Sequence, residues 1–305
     1  MATQLIVEPG KVYHWGTFCH YKPPYSLALD GIVEAKTQLR QTRNGFYAVI
    51  DHHLADDDSP ATCMQVYRLI LSGFFAPFIH EGEFRGNLFV NHPDEDVCLS
   101  VFLFKKFHQL SSYDSVRLTA LVDAEDTLDR SAGMERIDGS LEGQLAWIFE
   151  PYHTARFQGR LPQLKAEAMS AIIIDVCSRI EQYLNGSGNS LSFTGQYETL
   201  GTAAGYTVVK ETGPDARRAM VRDGVTAFIS FCGRTNGNYV YSFWRHENSD
   251  AIPLPQLCGA LNARENLSPR ANNKWGCAGV RGGSPRLTGS RQSPEELIAF
   301  LRTFA

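Results

Sequence analysis

The chain has no CxxC pair and an odd number of cysteines: Cys19, Cys63, Cys98, Cys177, Cys232, Cys258 and Cys277 are scattered over 305 residues. Both facts argue against a disulfide framework and suit reduced thiols in a cytoplasmic protein, several of them packed in cores. No run approaches the roughly 18 uncharged apolar residues that a membrane-spanning helix needs, so no membrane partner is expected. The opening stretch MATQLIVEPGKVYHWG lacks a basic region followed by a long apolar run, so it does not read as a secretory signal. There is no internal repeat and no low-complexity tract. Nor is there an excess of positive charge: the net charge of −4 argues against tight non-specific nucleic-acid binding.

What is present is ordinary globular composition, 43% hydrophobic and 20% charged, with length for two domains. The charge is uneven. Residues 1–195 carry 16 basic and 24 acidic residues, and residues 196–305 carry 13 basic and 9 acidic ones. An acidic half suits metal ions, and a basic half suits an anionic substrate. The break between them is YLNGSGNSLSFTG, a Gly-, Ser- and Asn-rich stretch after a long helical pattern. The expected division is therefore a first domain over 1–184, a linker over 185–195 and a second domain over 196–305.

In the first region FYAVID and GNLFVN read as buried strands. SPATCMQVYRLILSGF reads as a helix with Ser59 as N-cap and Pro60 at its first position. DVCLSVFLFKKFHQL reads as another, with Asp96 near its start. VRLTALVD fits a strand or a helix. Strands alternating with helices predict an α/β domain with a parallel sheet. In the second region GYTVVKE, VTAFISFC and the return strand after Asn236-Gly237 predict a smaller α+β domain. PLPQLCGALNARE reads as a helix, WGCAGVRGGSPRLTGSR as a loop, and SPEELIAFLRTF as a closing helix capped by Ser293.

In open α/β sheets, ligands sit beyond the carboxyl ends of the strands. Acids are expected at four such places: Asp30 in SLALDGIV, Asp51 with His52 and His53 in VIDHH, His92, Asp94 and Asp96 in FVNHPDEDVCLS, and Asp123 and Asp126 in LVDAEDTLDR. Carboxylates gathered at one sheet edge repel, and a divalent cation or a pair of them removes that repulsion. Carboxylate oxygens with a few imidazoles suit Mn²⁺ or Mg²⁺ better than the sulfur-rich sites of structural zinc. Asp56, Asp57 and Asp58 read as a solvated turn.

VIDHHLADDDSPATCMQVYRLI resembles the Asp-His-His motif of the DHH phosphoesterase superfamily, in which a strand ends in Asp-His-His and a short loop leads to a Thr-containing helix. NHPDEDVCLS resembles that group's first motif, and VDAEDTLD its last. The resemblance covers roughly residues 26 to 130. It implies two metal ions, Mn²⁺ or Mg²⁺, held by Asp94, Asp96 and His52, with Asp126 or its rival Asp123 as the last-motif ligand and Asp30 as a bridging acid. His53 would meet the substrate phosphate and Asp51 would orient the histidine pair. The motif order differs from the family's, since Asp-His-His comes first here. His92 stands two residues before Asp94 rather than four, and His14 and His20 are alternative ligands or simply aromatic packing.

The second region resembles a distant DHH-associated domain, whose Gly-rich loop holds phosphate. Gly282, Gly283, Ser284, Arg286, Ser290 and Arg291 would do this here, with Arg245 as a further anion contact; the histidine that usually follows the family's glycines is missing. The reaction implied is hydrolysis of a phosphate ester of a nucleotide or short oligonucleotide by metal-activated water. A metalloenzyme of different chemistry on this scaffold, or a non-catalytic nucleotide or anion binder, stays open, as does a homodimer.

Overall fold

Period-two burial decides the first sheet. The strands are Gln4–Val7 (β1), Ser26–Leu29 (β2), Gln38–Thr42 (β3), Gly45–Ile50 (β4) and Asn87–Val90 (β5). Leu27, Leu29, Ala48, Ile50, Leu88 and Val90 enter a large core on one face. Ala28, Tyr47, Val49 and Phe89 enter a smaller one on the other. Burial on both faces is what parallel strands require. The strands pair in the order β1-β5-β2-β4-β3, all parallel except the β3 edge, which is antiparallel to β4. The computed structural model describes residues 3–53, 59–135, 137–191, 197–213, 216–268, 270–271 and 273–304.

Helices Trp15–Tyr21 (α1), Thr62–Leu71 (α2), Glu95–Lys105 (α3), Ser115–Arg130 (α4), Gly139–Ile148 (α5), Glu150–Phe157 (α6) and Ala166–Leu184 (α7) follow. Phe18 of α1 fills the smaller core. Val66, Phe102, Leu118, Leu145 and Ile173 bring α2, α3, α4, α5 and α7 to the large one. Two expectations change here. VRLTALVD lies in helix α4, where Leu118, Leu121, Val122 and Glu125 are buried at helical spacing, so Asp123 and Asp126 sit on a helix and not at a strand end. And α2 starts at Thr62, with Ala61 rather than Ser59 at its cap position. Its first N–H groups are held by carboxylates from α3 and α4, described below.

The chain divides into two units. The first comprises Met1–Arg130, Ile137–Tyr152 and Leu164–Leu191, and the second comprises Ser131–Arg136, His153–Gln163 and Ser192–Ala305. Two short segments before residue 164 thus belong to the second unit, which a cut at 184 does not anticipate. The first part of the expected linker belongs to the first unit, where the Leu191 N–H donates to the Gly143 carbonyl at 2.9 Å; residues 192–195 lie outside the described residues.

The second unit holds strands Tyr197–Ala203 (β6), Tyr206–Glu211 (β7), Ala227–Thr235 (β8), Asn238–Arg245 (β9), Gly276–Ala278 (β10) and Arg281–Gly283 (β11), paired in the order β6-β7-β8-β9-β11-β10. Only β7 and β8 run parallel. Asn236 and Gly237 turn β8 into β9 with positive φ at both, 50° and 84°. Helices Leu254–Glu265 (α9) and Pro294–Leu301 (α10) cover one face through Leu257, Leu261, Leu297 and Leu301. Met220 of helix Ala216–Arg222 (α8) packs with Val209, Phe228 and Trp244 on the other. Ser293 caps α10 in a reciprocal capping box with Glu296. No helix among the described residues is long and apolar enough to cross a membrane.

Glu211 ends β7 between two guanidiniums: Arg156 Nη2 lies 3.0 Å from one oxygen and Arg217 Nε 3.2 Å from the other. Burial alone would raise its pKa, but the two arginines outweigh burial and hold it at about 2 instead of the ordinary 4.5. The unfolded chain therefore takes up this proton first on acidification. The pair's contribution, about 3 kcal/mol, is complete above pH 4.5 and is lost as pH falls through 4.5 towards 2. Denaturant unfolding of wild type and Glu211→Gln between pH 6 and 2 should show a shallower loss in the variant; equal slopes would remove Glu211 as the source.

Candidate metal centre

β2 and β4 are parallel neighbours, so their carboxyl ends deliver two acids side by side. Asp30 follows β2 in the left-handed region, φ +43°, and its N–H donates to the Ile50 carbonyl at 3.1 Å. Asp51 follows β4. Its Oδ2 accepts from the Gly31 N–H at 2.9 Å and its Oδ1 from the His53 N–H at 2.7 Å, with His53 Nδ1 2.9 Å from the same Oδ1. The Asp51 N–H donates to Thr37 Oγ1 at 3.1 Å, and the Thr37 hydroxyl donates to Gln65 Oε1 at 2.6 Å. Asp51 is thus the lock of the turn, and it fixes the ring of His53.

His52 points to the other side of the strand end. Its side chain is 2% exposed, with Nε2 3.4 Å from Asp30 Oδ1 and Nδ1 3.4 Å from Asp129 Oδ2. His53, a third exposed, places Nδ1 3.3 Å from Asp30 Oδ1. Asp96, in the first turn of α3, accepts from the Thr62 N–H at 2.8 Å and from the Cys63 N–H at 2.5 Å. Asp126 of α4 accepts from the Ala61 N–H at 2.7 Å. Two carboxylates therefore hold three successive N–H groups at the start of α2, and the Thr62 hydroxyl in turn donates to Asp30 Oδ1 at 3.1 Å.

Two sets of side chains bring ligand atoms within 4.8 Å of one another: Asp30, His52 and His53, and His52, Asp96 and Asp129. They share His52. The donors are three carboxylates and two imidazoles with no thiolate, a set that fits a hard or borderline divalent cation such as Mn²⁺ or Mg²⁺.

The protonation pattern shows what such a cation would replace. Burial raises the pKa of Asp96 well above the ordinary carboxylate range, and the charges of Asp30 and Asp129 push the same way. Glu125, buried on α4, is raised by burial and then by Glu95, Asp96 and Asp129. Burial would also raise Asp30, but the charge and hydrogen bond of His53, with His52 and the Thr62 hydroxyl, leave it lowered. Burial disfavours the His53 cation, yet Asp30 and Asp51 raise its pKa to about 10. Protons on His53 and Asp96 thus supply the positive charge that the acids need. A cation held by Asp30, Asp96, Asp129 and His52 must displace the Asp96 proton, so affinity for it rises with pH.

Of the residues expected here, Asp30, Asp51, His52, His53 and Asp96 come together. Asp94 is the N-cap of α3, accepting from the Val97 N–H at 3.0 Å, and faces His92 Nδ1 at 3.1 Å. Neither belongs to the two sets. Asp126 holds the start of α2, and Asp123 is exposed on α4. His14 pairs with Glu34 at 3.0 Å and His20 packs edge-on to Tyr21, and neither belongs to the two sets. Asp56, Asp57 and Asp58 lie outside the described residues. Asp129 was not singled out from the sequence, nor were Glu125 and Thr62. The helical register of α4 was the available signal: Val122, Glu125 and Asp129 recur at spacings of three and four, on the face that meets the core.

The residues expected to hold phosphate in the second unit are engaged otherwise. The stretch read as a loop contains β10 and β11, and Gly282 and Gly283 sit in the ladder between β9 and β10. A Cβ on Gly282 would collide with the Phe243 ring, and one on Gly283 would lie 2.8 Å from the Tyr241 carbonyl oxygen. These glycines therefore answer a close approach of strands. Ser284 Oγ accepts from the Tyr241 N–H at 3.0 Å. Glu265, buried, accepts from Ser290 Oγ at 2.6 Å, Trp275 Nε1 at 2.9 Å and the Arg291 N–H at 3.2 Å, while the Arg291 guanidinium donates to the Glu265 carbonyl. Arg245 donates to the carbonyls of Ala251, His246, Glu247 and Ser249. Arg286 is exposed.

Comparison with protein-family models, curated proteins and solved structures finds no match to this chain.

The acids on α4 separate cleanly by mutation. Elemental analysis after dialysis against Mn²⁺ should find metal in Asp123→Asn at the wild-type level and a loss of at least half in Asp129→Asn. Equal retention in both would remove Asp129 from the ligand set.

Proposed function

We propose that the first unit is a divalent-cation-dependent phosphoesterase acting on a phosphate ester of a nucleotide or short oligonucleotide. The observation that carries this reading is the pair of ligand sets that share His52, in which Asp30, His52 and the partly open His53 at the carboxyl ends of parallel strands meet Asp96 of α3 and Asp129 of α4. Asp30, Asp96 and Asp129 with His52 would hold the cation or cations, and His53 lies at the outer edge of the first set. When bound, such ions lower the pKa of water and polarise a phosphoryl oxygen.

The chain's own residues supply the rest. Asp51 holds the His53 ring by its Nδ1 at 2.9 Å, which leaves Nε2 for a phosphoryl oxygen. When protonated, the ring would stabilise charge developing on that oxygen, a contribution of about 10²- to 10³-fold in rate for one such donor. Thr62, through its bond to Asp30, and Asp126, through Ala61, keep the acids and the helix start in register.

A second reading is a metalloprotein of different chemistry on this scaffold. The engagement of the Gly-rich stretch with Glu265 and β9 favours it, since the expected phosphate contacts of the second unit are then missing.

The deciding assay is release of inorganic phosphate or nucleoside monophosphate from nucleotides, dinucleotides and pyrophosphate with added Mn²⁺. Turnover should stop with a chelator and with Asp96→Asn. His53→Ala should keep its metal and lose about 10²-fold or more in kcat. Metal bound in full with no turnover of any ester would instead support the second reading.

A further inference from the structure

In the second unit, helix α9 and strand β10 are locked in a register that brings two thiols together. Asn262 Nδ2 donates to the Trp275 carbonyl, and the Trp275 N–H donates to Asn262 Oδ1, both at 2.9 Å. Cys258 stands four residues before Asn262 on α9, so both project from one face of the helix, about 6 Å apart along its axis. Cys277 stands two residues after Trp275, within β10, so both project from one side of an extended chain, about 6.6 Å apart. The two steps match and run in opposite directions. The contact of Asn262 with Trp275 therefore sets Cys258 opposite Cys277.

The ladder agrees. Cys277 pairs with Gly282 and Gly282 with Phe243, so three strands present one row to the core that α9 covers. Phe243 is buried in that row, with Trp275 stacked on its ring. Gly282 adds no side chain beside Cys277, where a Cβ would lie 2.9 Å from the Cys277 Cβ. The two thiols are hydrogen-bonded to each other. Their access differs. Cys258 is 5% exposed, whereas Cys277 is partly open, on the strand that ends the sheet. Burial raises the pKa of Cys258 and the neighbouring Cys277 pushes the same way, so Cys258 is held as the thiol. The other partly open cysteines have different neighbours: Cys19 lies beside the Arg40 guanidinium, and Cys232 donates to the Ser230 carbonyl and the Ser242 hydroxyl at 3.4 Å.

We propose that Cys258 and Cys277 form a reversible oxidation site, which a small disulfide of the glutathione class converts into a bridge between α9 and β10. Cys277, as its thiolate, attacks one sulfur of glutathione disulfide. That S–S bond breaks, and the other glutathione leaves as a thiolate. Cys258 then gives up its proton, attacks the Cys277 sulfur of the mixed disulfide and releases the second glutathione. The protein pair loses two electrons, the small disulfide gains them, and the two thiol protons end on the two glutathiones. The bridge ties down an edge strand that β11 holds by three ladder pairs. The site is independent of the metal centre and of the activity proposed for it.

The test is peptide mapping by mass spectrometry. The full chain, folded and kept in chelator, is incubated with excess glutathione disulfide, quenched in acid and alkylated. In wild type Cys258 should be found linked to Cys277, with the glutathione adduct on Cys277 below about a tenth of the linked form, since resolution within one molecule is fast. A later excess of reduced glutathione should return both thiols. In Cys258→Ala the reaction should stop one step earlier, with glutathione held on Cys277. In Cys277→Ala the buried Cys258 should stay free. The wild-type map decides even where a variant is unstable. Both cysteines alkylated in wild type, or a link that forms only in denaturant, would overturn the proposal. So would an adduct on Cys277 that persists in wild type as it does in Cys258→Ala, or a bridge from either cysteine to another partner.

Discussion

Like charges gathered in a buried place must find a positive partner, and in the first unit the start of α2 is part of the answer. Asp96 and Asp126 come from different helices and take the N–H groups of residues 61 to 63, where the helix dipole is positive. The helix has no side-chain cap of its own. It borrows one from α3 and α4, and their acids are in turn stabilised by the borrowed groups. Three helices and the strand ends of β2 and β4 are therefore tied together at one point. The same point leaves Asp30, Asp129 and the second histidine nitrogen turned towards one another.

That arrangement explains which parts were legible in the sequence. Strand ends are local: VIDHH and SLALD each show a buried apolar run stopped by an acid, and period-two burial does the rest. The parallel pairing of β2 with β4 follows from burial on both faces. What the sequence could not show is tertiary. Ser59 carries the usual signature of an N-cap, but the Asp96 side chain, thirty-odd residues away in α3, accepts from the Thr62 N–H instead, and the helix starts at Thr62. In α4 the apolar run was too short to separate strand from helix. Asp123 and Asp126 drew attention because they stand nearest to that run, whereas the helix turns Asp129 towards His52.

The glycine-rich stretch of the second unit shows the opposite limit. Glycine reports that something comes close to the backbone, not what it is. Phosphate and a neighbouring strand make the same demand on the sequence. At Gly282 and Gly283 the neighbour is β9, and the polar residues around them converge on the Glu265 carboxylate. The arginines of that stretch likewise have protein partners where the structure gives them one: Arg291 through Glu265, and Arg245, nearby in β9, through four carbonyls. A basic, glycine-rich segment is thus ambiguous until its acceptors are counted.

Three adjacent residues, Asp51, His52 and His53, do three different things because a strand end alternates. Asp51 turns away from the large core and binds the Gly31 and His53 N–H groups, so it shapes backbone. His52 turns into the core side and reaches one acid with each nitrogen, which makes it the hinge between two ligand sets. His53 follows the bend that Asp51 imposes and stays a third exposed. A slip of one residue in the pairing of β2 with β4 would exchange the first two faces. It would turn the lock towards the large core and the hinge away from it. The register of Leu29 with Ile50 therefore sets the chemistry as much as the identity of the side chains does.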